Sequence, residues 1–236
     1  MVTNPVRVER EGPVTVVVID RPERRNAVDR ATAAGLLEAF EEFDADAAAA
    51  VAVLTGSGGT FCAGADLKAV AAGGGNRVTV DGPGPLGPTR LELSKPVVAA
   101  VEGHAVAGGL ELAVWCDLRV AGAGATFGVY CRRFGVPLVD GGTFRLPRLV
   151  GQGRALDLVL TGRAVGAEEA LSIGLVDRVT PDGQALDAAV ELASGLAAFP
   201  QTCLRNDRRA VIGQWGLGNE EALRRETRLG LETLAS

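Results

Sequence analysis

Residues 101–117 read VEGHAVAGGLELAVWCD, and the fold depends on how that stretch divides. KPVVAAVEG (95–103) is short and apolar, which predicts a strand. AVAGG follows as a glycine turn, and LELAVWCD continues as the helix that the turn enters. Glu111 falls in the first turn of that helix, inside an otherwise apolar run. An unpaired carboxylate buried there would cost several kcal/mol. Either it is a first-turn charge stabilised by the helix dipole, worth about 0.3–1 kcal/mol at an exposed site, or it is kept for chemistry.

The same order of elements occurs upstream. AVAVLTG (50–56) predicts a short strand, SGGTFCAGADL a glycine-rich turn, and the residues from about 66 to 71 a short helix. Two units of strand, glycine turn and helix N-terminus are therefore centred on Gly64 and Gly108. Before them, residues 6–10 and VTVVVID (14–20) predict strands and RPERRN a polar turn opened by Pro22. A helix is expected from Asp29, its N-cap, to Phe43, with Leu36, Leu37, Phe40 and Phe43 on one face. Residues 71–89, AAGGGNRVTVDGPGPLGPT, are so rich in helix and strand breakers that they read as a mobile surface loop. From Thr143 onward helices dominate, interrupted by a short strand at VDRVT and ending in amphipathic helices over about 184–198 and 219–234. No linker composition interrupts the chain. The reading is an α/β fold in one domain, 1–236, with a core over about 1–183 and C-terminal helices over about 184–236.

Composition excludes several functions. With 47% apolar and 22% charged residues, extensive disorder is not expected. A net charge of -5 argues against a nucleic-acid footprint, which needs a concentrated basic face. Arg205, Arg208 and Arg209 read as a solvated helix face. No stretch reaches the roughly 18 uninterrupted apolar residues of a membrane span, and MVTNPVRVERE has no signal-peptide core, so a cytoplasmic location is expected. Cys62, Cys116, Cys131 and Cys203 form no CxxC pair, and His104 is the only histidine. A His-based metal site or a disulfide framework is therefore not expected.

A helix N-terminus presents unpaired N–H groups and the positive end of a dipole. Two such ends converging on one carbonyl oxygen would form an oxyanion hole from backbone alone, and Gly64 and Gly108 permit that approach because neither carries a side chain. Taken singly, each turn could equally be an ordinary strand-to-helix connection.

Taken together, FCAGADLK (61–68) and KPVVAAVEGHAVAGGLELAVWCDLRVAG (95–122) closely resemble the crotonase, or enoyl-CoA hydratase/isomerase, superfamily. RPERRNAV (21–28), TFGV (126–129), GGTFRLPRLVG and LTGRAVGAEEALSIGLVDRV are similar to that family in the same order, so the resemblance spans nearly the whole chain. It implies a spiral of ββα units followed by C-terminal helices that serve in trimerisation, giving a homotrimer or hexamer. It also implies an acyl-CoA thioester as substrate, with no separate cofactor and no metal. By position, the N–H groups of Ala65 and Gly108 would form the oxyanion hole, and Glu111 would be one of the family's two glutamates. Arg25, Ala27, Ala63, Asp66, Leu67 and Lys68 would hold the CoA, with Arg25 or Lys68 near its phosphates.

The resemblance breaks at the second glutamate, whose place four residues after Phe127 holds Cys131. A thiol, with an ordinary pKa of about 8.5, is a poor replacement for a carboxylate in water activation. The nearest acid is Asp140, which stands either beside the substrate or as the cap of the helix beginning near Thr143. His104 reads as a packing residue near the site. Three functions remain open: an enoyl-CoA hydratase using Glu111 with Asp140, an enoyl-CoA isomerase using Glu111 alone, and a non-catalytic acyl-CoA binder.

Overall fold

The run VTVVVI is buried along its whole length, because its two faces pack into two different cores. In a computed structural model describing residues 4–236, β1 (Val6–Glu11) pairs antiparallel with β2 (Val14–Ile19). β2 is then followed in the sheet by β3 (Val51–Gly56), β4 (Val97–Val101), β6 (Leu118–Gly122) and β9 (Arg178–Thr180), all parallel. Val17, Ile19, Ala52, Leu54, Ala99 and Val101 face one core, while Val14, Val16, Val18, Val51, Val53, Val98 and Ala100 face the other. Continuous apolar strands, rather than alternating ones, are what a parallel sheet covered on both sides requires.

The first core is covered by α1 (Arg30–Ala45), α3 (Gly108–Trp115), α4 (Gly142–Val150) and α5 (Gln152–Thr161). A second, three-stranded sheet of β5 (His104–Val106), β7 (Thr126–Gly128) and β8 (Val165–Gly166) lies beside it, and α6 (Ala167–Ser172) follows β8. α1 begins at the expected cap: Asp29 Oδ1 accepts from Thr32 N at 2.9 Å. Its buried face carries Leu36, Phe40 and Phe43.

The other core is closed by α7 (Ala185–Ala197), which buries Ala185, Ala189 and Ala193 against the sheet. The helix expected to open the C-terminal region is thus also the cover of the sheet's second face. α8 (Gln201–Gly213) and α9 (Asn219–Leu234) pack on each other, with buried Asn206 donating to Leu229 O at 3.1 Å and Thr233 Oγ1 at 3.0 Å. The arginines of α8 are not simply a solvated face. Arg208 pairs with Asp117 at 2.8 Å and donates to Leu93 O at 2.6 Å, docking α8 onto the core. Among the described residues no helix is long and apolar enough to cross a membrane.

The surface exposure expected for residues 71–89 is found only in the first part of that segment. Residues 72–83 are irregular and largely exposed, but 84–89 are buried and end in a 3-10 turn, Pro88–Arg90. Hydrogen bonds to a buried acid, described below, fasten this second half to the interior.

Candidate active site

The first glycine turn joins β3 to α2 (Leu67–Ala71). Cys62 forms a parallel bridge with Ala105, and Ala65 forms one with Val28. The latter bridge uses Val28 N to Gly64 O (2.8 Å) and Asp66 N to Val28 O (3.0 Å), so the N–H of Ala65 itself points away from it. Gly64 has φ +89°, a region that strains a residue with a Cβ. Asp66 then caps α2, accepting from Lys68 N and Ala69 N, and pairs with Arg21 at 3.1 Å.

The second turn ends at Ala107, a non-glycine residue with φ +53° and ψ -125°. Such a backbone costs of order 1–3 kcal/mol and persists only where the surroundings enforce it. Here Ala107 N donates to Gly128 O at 2.8 Å, and the twist presents the N–H of Gly108 at the start of α3. The two turns touch: a Cβ on Gly64 would lie 2.7 Å from Gly108 N and 3.0 Å from Ala107 Cβ. Neither Ala65 N–H nor Gly108 N–H has an acceptor among the described residues. The fold therefore brings two unpaired backbone donors together, as an oxyanion hole requires.

Glu111 lies one helical turn from Gly108 and is 2% exposed. Its Oε1 accepts from Asp140 N at 2.9 Å and from Gly142 N at 2.8 Å. Burial pushes its carboxyl up to about 7, opposed by the Gly142 N–H and reinforced by the charge of Asp140. This compensates the buried charge in part and leaves the group ready to exchange a proton near neutral pH. A Cβ on Gly142 would lie 3.0 Å from Glu111 Cγ and Oε1, so a larger residue there would crowd this contact.

Asp140 does not cap the following helix. α4 begins after Gly141, with no side-chain cap. The Asp140 carboxyl turns inward, its Oδ1 accepting from Leu86 N at 2.9 Å and from Thr89 Oγ1 at 2.5 Å. Burial raises it above the ordinary aspartate range, against the Thr89 and Leu86 donors and the charges of Arg90 and Arg145. Cys131 is also buried at this site, on the 3-10 turn Tyr130–Phe134. Burial and then the Glu111 charge push its thiol up, so it stays protonated beside the carboxylate.

The residues expected to hold CoA form a separate rim. Arg25 adopts a left-handed conformation (φ +52°) after the 3-10 turn Pro22–Arg24, and its carbonyl accepts from Ala63 N at 3.1 Å. Buried Asn26 ties this turn to the glycine loop through Ser57 O at 2.8 Å and Thr60 O at 2.5 Å. Ala27 is buried, Ala63 is half-buried, and Leu67 and Lys68 are exposed at the start of α2. Asp66 is buried, with its side chain engaged by the cap and Arg21. Arg25 and Lys68 are exposed cations on the same rim.

Three residues at the site carry no signal in the sequence. Leu86, Thr89 and Arg145 lie in or against the segment read as a mobile loop. Leu86 Cδ1 would stand 2.5 Å from a Cβ on Gly108, so this side chain roofs the oxyanion turn. Arg145 donates to Asp140 O at 2.9 Å and to Thr89 O at 2.8 Å. His104, by contrast, is exposed at the edge of β5 and is not a packing residue.

Comparison with known proteins identifies the family and the fold. The family model "Enoyl-CoA hydratase/isomerase" matches residues 9–235. Enoyl-CoA hydratase EchA19 of Mycobacterium tuberculosis is 36% identical over 97% of this chain and 88% of its own length. Carnitinyl-CoA dehydratase of Salmonella arizonae is 40% identical over 81% of this chain and 74% of its own. The crystal structure of an enoyl-CoA hydratase from M. tuberculosis H37Rv superposes with a TM-score of 0.94 at 38% identity, covering 99% of this chain and 91% of that one. A family model matched over nearly the whole chain and relatives 36–40% identical show that the chain belongs to the enoyl-CoA hydratase/isomerase family, the crotonase superfamily.

Proposed function

We propose that the protein is an enoyl-CoA hydratase that adds water to a 2-enoyl-CoA thioester using Glu111 and Asp140 as its carboxyl pair. The observation that carries this reading is the convergence of two unpaired N–H groups, Ala65 and Gly108, on the same small region as two buried carboxyls. The thioester oxygen accepts from both N–H groups, which stabilise the negative charge that develops as water adds to the β-carbon. Addition needs one carboxylate to take a proton from water and one carboxylic acid to deliver a proton to the α-carbon. Glu111, raised to about 7 beside the charge of Asp140, makes a pair that holds one proton near neutrality. The pair titrates as a unit, and its singly protonated form is the active one. CoA lies along the Ala63–Lys68 and Arg25–Ala27 rim, with Arg25 and Lys68 toward its phosphates.

Asp140 takes the part that Cys131 cannot, since the thiol is neutral and buried. The second reading, an isomerase using Glu111 alone, draws on the same substitution. The two are separated by incubating the protein with 2-enoyl-CoA thioesters and following loss of the conjugated absorbance, with Glu111→Gln and Asp140→Asn alongside. The hydratase reading expects turnover in the wild type and a loss of about 10²–10⁴ in each variant. Full turnover in Asp140→Asn refutes the paired mechanism. Silence toward 2-enoyl thioesters with turnover of 3-enoyl-CoA favours the isomerase, and binding without turnover of either favours the binder.

The homotrimer is likewise proposed. Val211, Ile212, Trp215, Leu223, Leu231 and Leu234 are exposed on and around α8 and α9, and apolar side chains there are what a subunit contact would cover. A monomeric mass by light scattering would refute it.

A further inference from the structure

We propose that Thr89 is a positioning residue that fixes the Asp140 carboxylate for proton transfer, acting with the buried strap 84–90 that carries it. This deepens the hydratase reading and rests on it. Thr89 is 1% exposed and its hydroxyl reaches Asp140 Oδ1 at 2.5 Å. Leu86 N–H binds the same oxygen from two residues beyond Gly84, so both structural donors take Oδ1 and Oδ2 makes no hydrogen bond with any described residue. One oxygen is anchored and the other is left for chemistry. Glu111 is held in the same manner, with both backbone donors on Oε1.

The strap is built to this purpose. A Cβ on Gly84 would lie 1.9 Å from Thr89 Oγ1 and 3.1 Å from Asp140 Oδ1, so only a glycine lets the chain pass over the pair. Arg145 closes the arrangement by donating to the carbonyls of both Thr89 and Asp140. The charged and titratable groups facing Asp140 are Glu111 from α3, Cys62 from the first glycine turn, Arg90 from the strap and Arg145 from α4. None of them replaces the hydroxyl, because none donates a side-chain hydrogen bond to the carboxylate.

Removing the hydroxyl destabilises the ionised form of Asp140, so the pair loses its first proton at higher pH. Thr89→Val should move the acid limb of kcat/KM upward by about one pH unit, so that at pH values below the limb the value falls by up to about tenfold. Thr89→Ser keeps the donor and should keep the wild-type profile. Carbon-13 NMR titration of labelled aspartates, with the Asp140 signal identified by its absence in Asp140→Asn, reads the same shift without turnover. If Thr89→Val fails to fold, Thr89→Ala carries the identical prediction. An unchanged acid limb and an unchanged Asp140 titration, in a protein that Asp140→Asn inactivates, would overturn the role of Thr89 alone. A wild type without turnover, or Asp140→Asn with full turnover, would instead refute the hydratase reading and the role with it.

Discussion

Replacing Glu111 by Gln should lower activity and raise stability together. Gln keeps an oxygen that accepts from Asp140 N and Gly142 N, so the turn 140–142 stays docked. The stability effect follows from the carboxyl's shift from an unperturbed 4.5 to about 7. A carboxyl with a raised folded-state pKa binds its proton more tightly when folded than when unfolded. Between those two values the folded state therefore holds more protons, and stability falls as pH rises through the window. At 1.36 kcal/mol per pH unit, the deficit at pH 8 is about 3 kcal/mol, which for a chain of this size corresponds to roughly 6–12 °C in Tm. Gln carries no charge and escapes that loss. Thermal melts of wild type and Glu111→Gln from pH 4 to pH 8 should converge at the acid end and diverge toward pH 8, with the variant higher. Loss of proton transfer should cost about 10²–10⁴ in turnover. A variant no more stable than wild type at pH 8 would refute the buried, strained carboxyl, and one with intact turnover would refute its catalytic role.

Gly64→Ala should cut kcat/KM by about 10²–10³, the usual cost of losing one oxyanion donor, because the new Cβ would press 2.7 Å from Gly108 N; unchanged kinetics would separate the turn from the reaction. Arg208→Met should lower stability by about 1–3 kcal/mol, since it leaves Leu93 O and Asp117 without their donor; an unchanged urea midpoint would contradict the docking of α8. A thiol reagent should label at most one cysteine rapidly in the native protein, Cys203, because the other three are buried. Rapid labelling of two or more would contradict the burial of Cys62, Cys116 or Cys131.

The elements that the sequence made legible are those whose cause is local. VTVVVI, AVAVLTG and KPVVAAV were readable as apolar strands from their short runs of Val and Ala, and Asp29 announced α1 by its capping chemistry. The two glycine turns were readable because helix N-termini have a fixed donor geometry, although their contact through Gly64 and Gly108 is a tertiary fact. The strap 84–90 was misread for a physical reason. Gly and Pro signal irregular backbone, but they say nothing about burial, and here Asp140 satisfies the irregular segment from 54 residues away. The same inward turn of the carboxyl removes one of the two readings left open for Asp140, that of a helix cap. The reading of Arg208 as part of a solvated face failed in the same way, its partner Asp117 lying 91 positions earlier.

The central claim is that Ala65 and Gly108 hold a thioester carbonyl with both carboxyls toward the acyl carbons. A crystal structure with a bound, unreactive acyl-CoA tests it most directly. The account predicts the thioester oxygen at about 2.7–3.1 Å from both backbone nitrogens, with the α- and β-carbons facing Glu111 and Asp140. A thioester carbonyl bound elsewhere, or an acyl chain turned away from the two carboxyls, would contradict it.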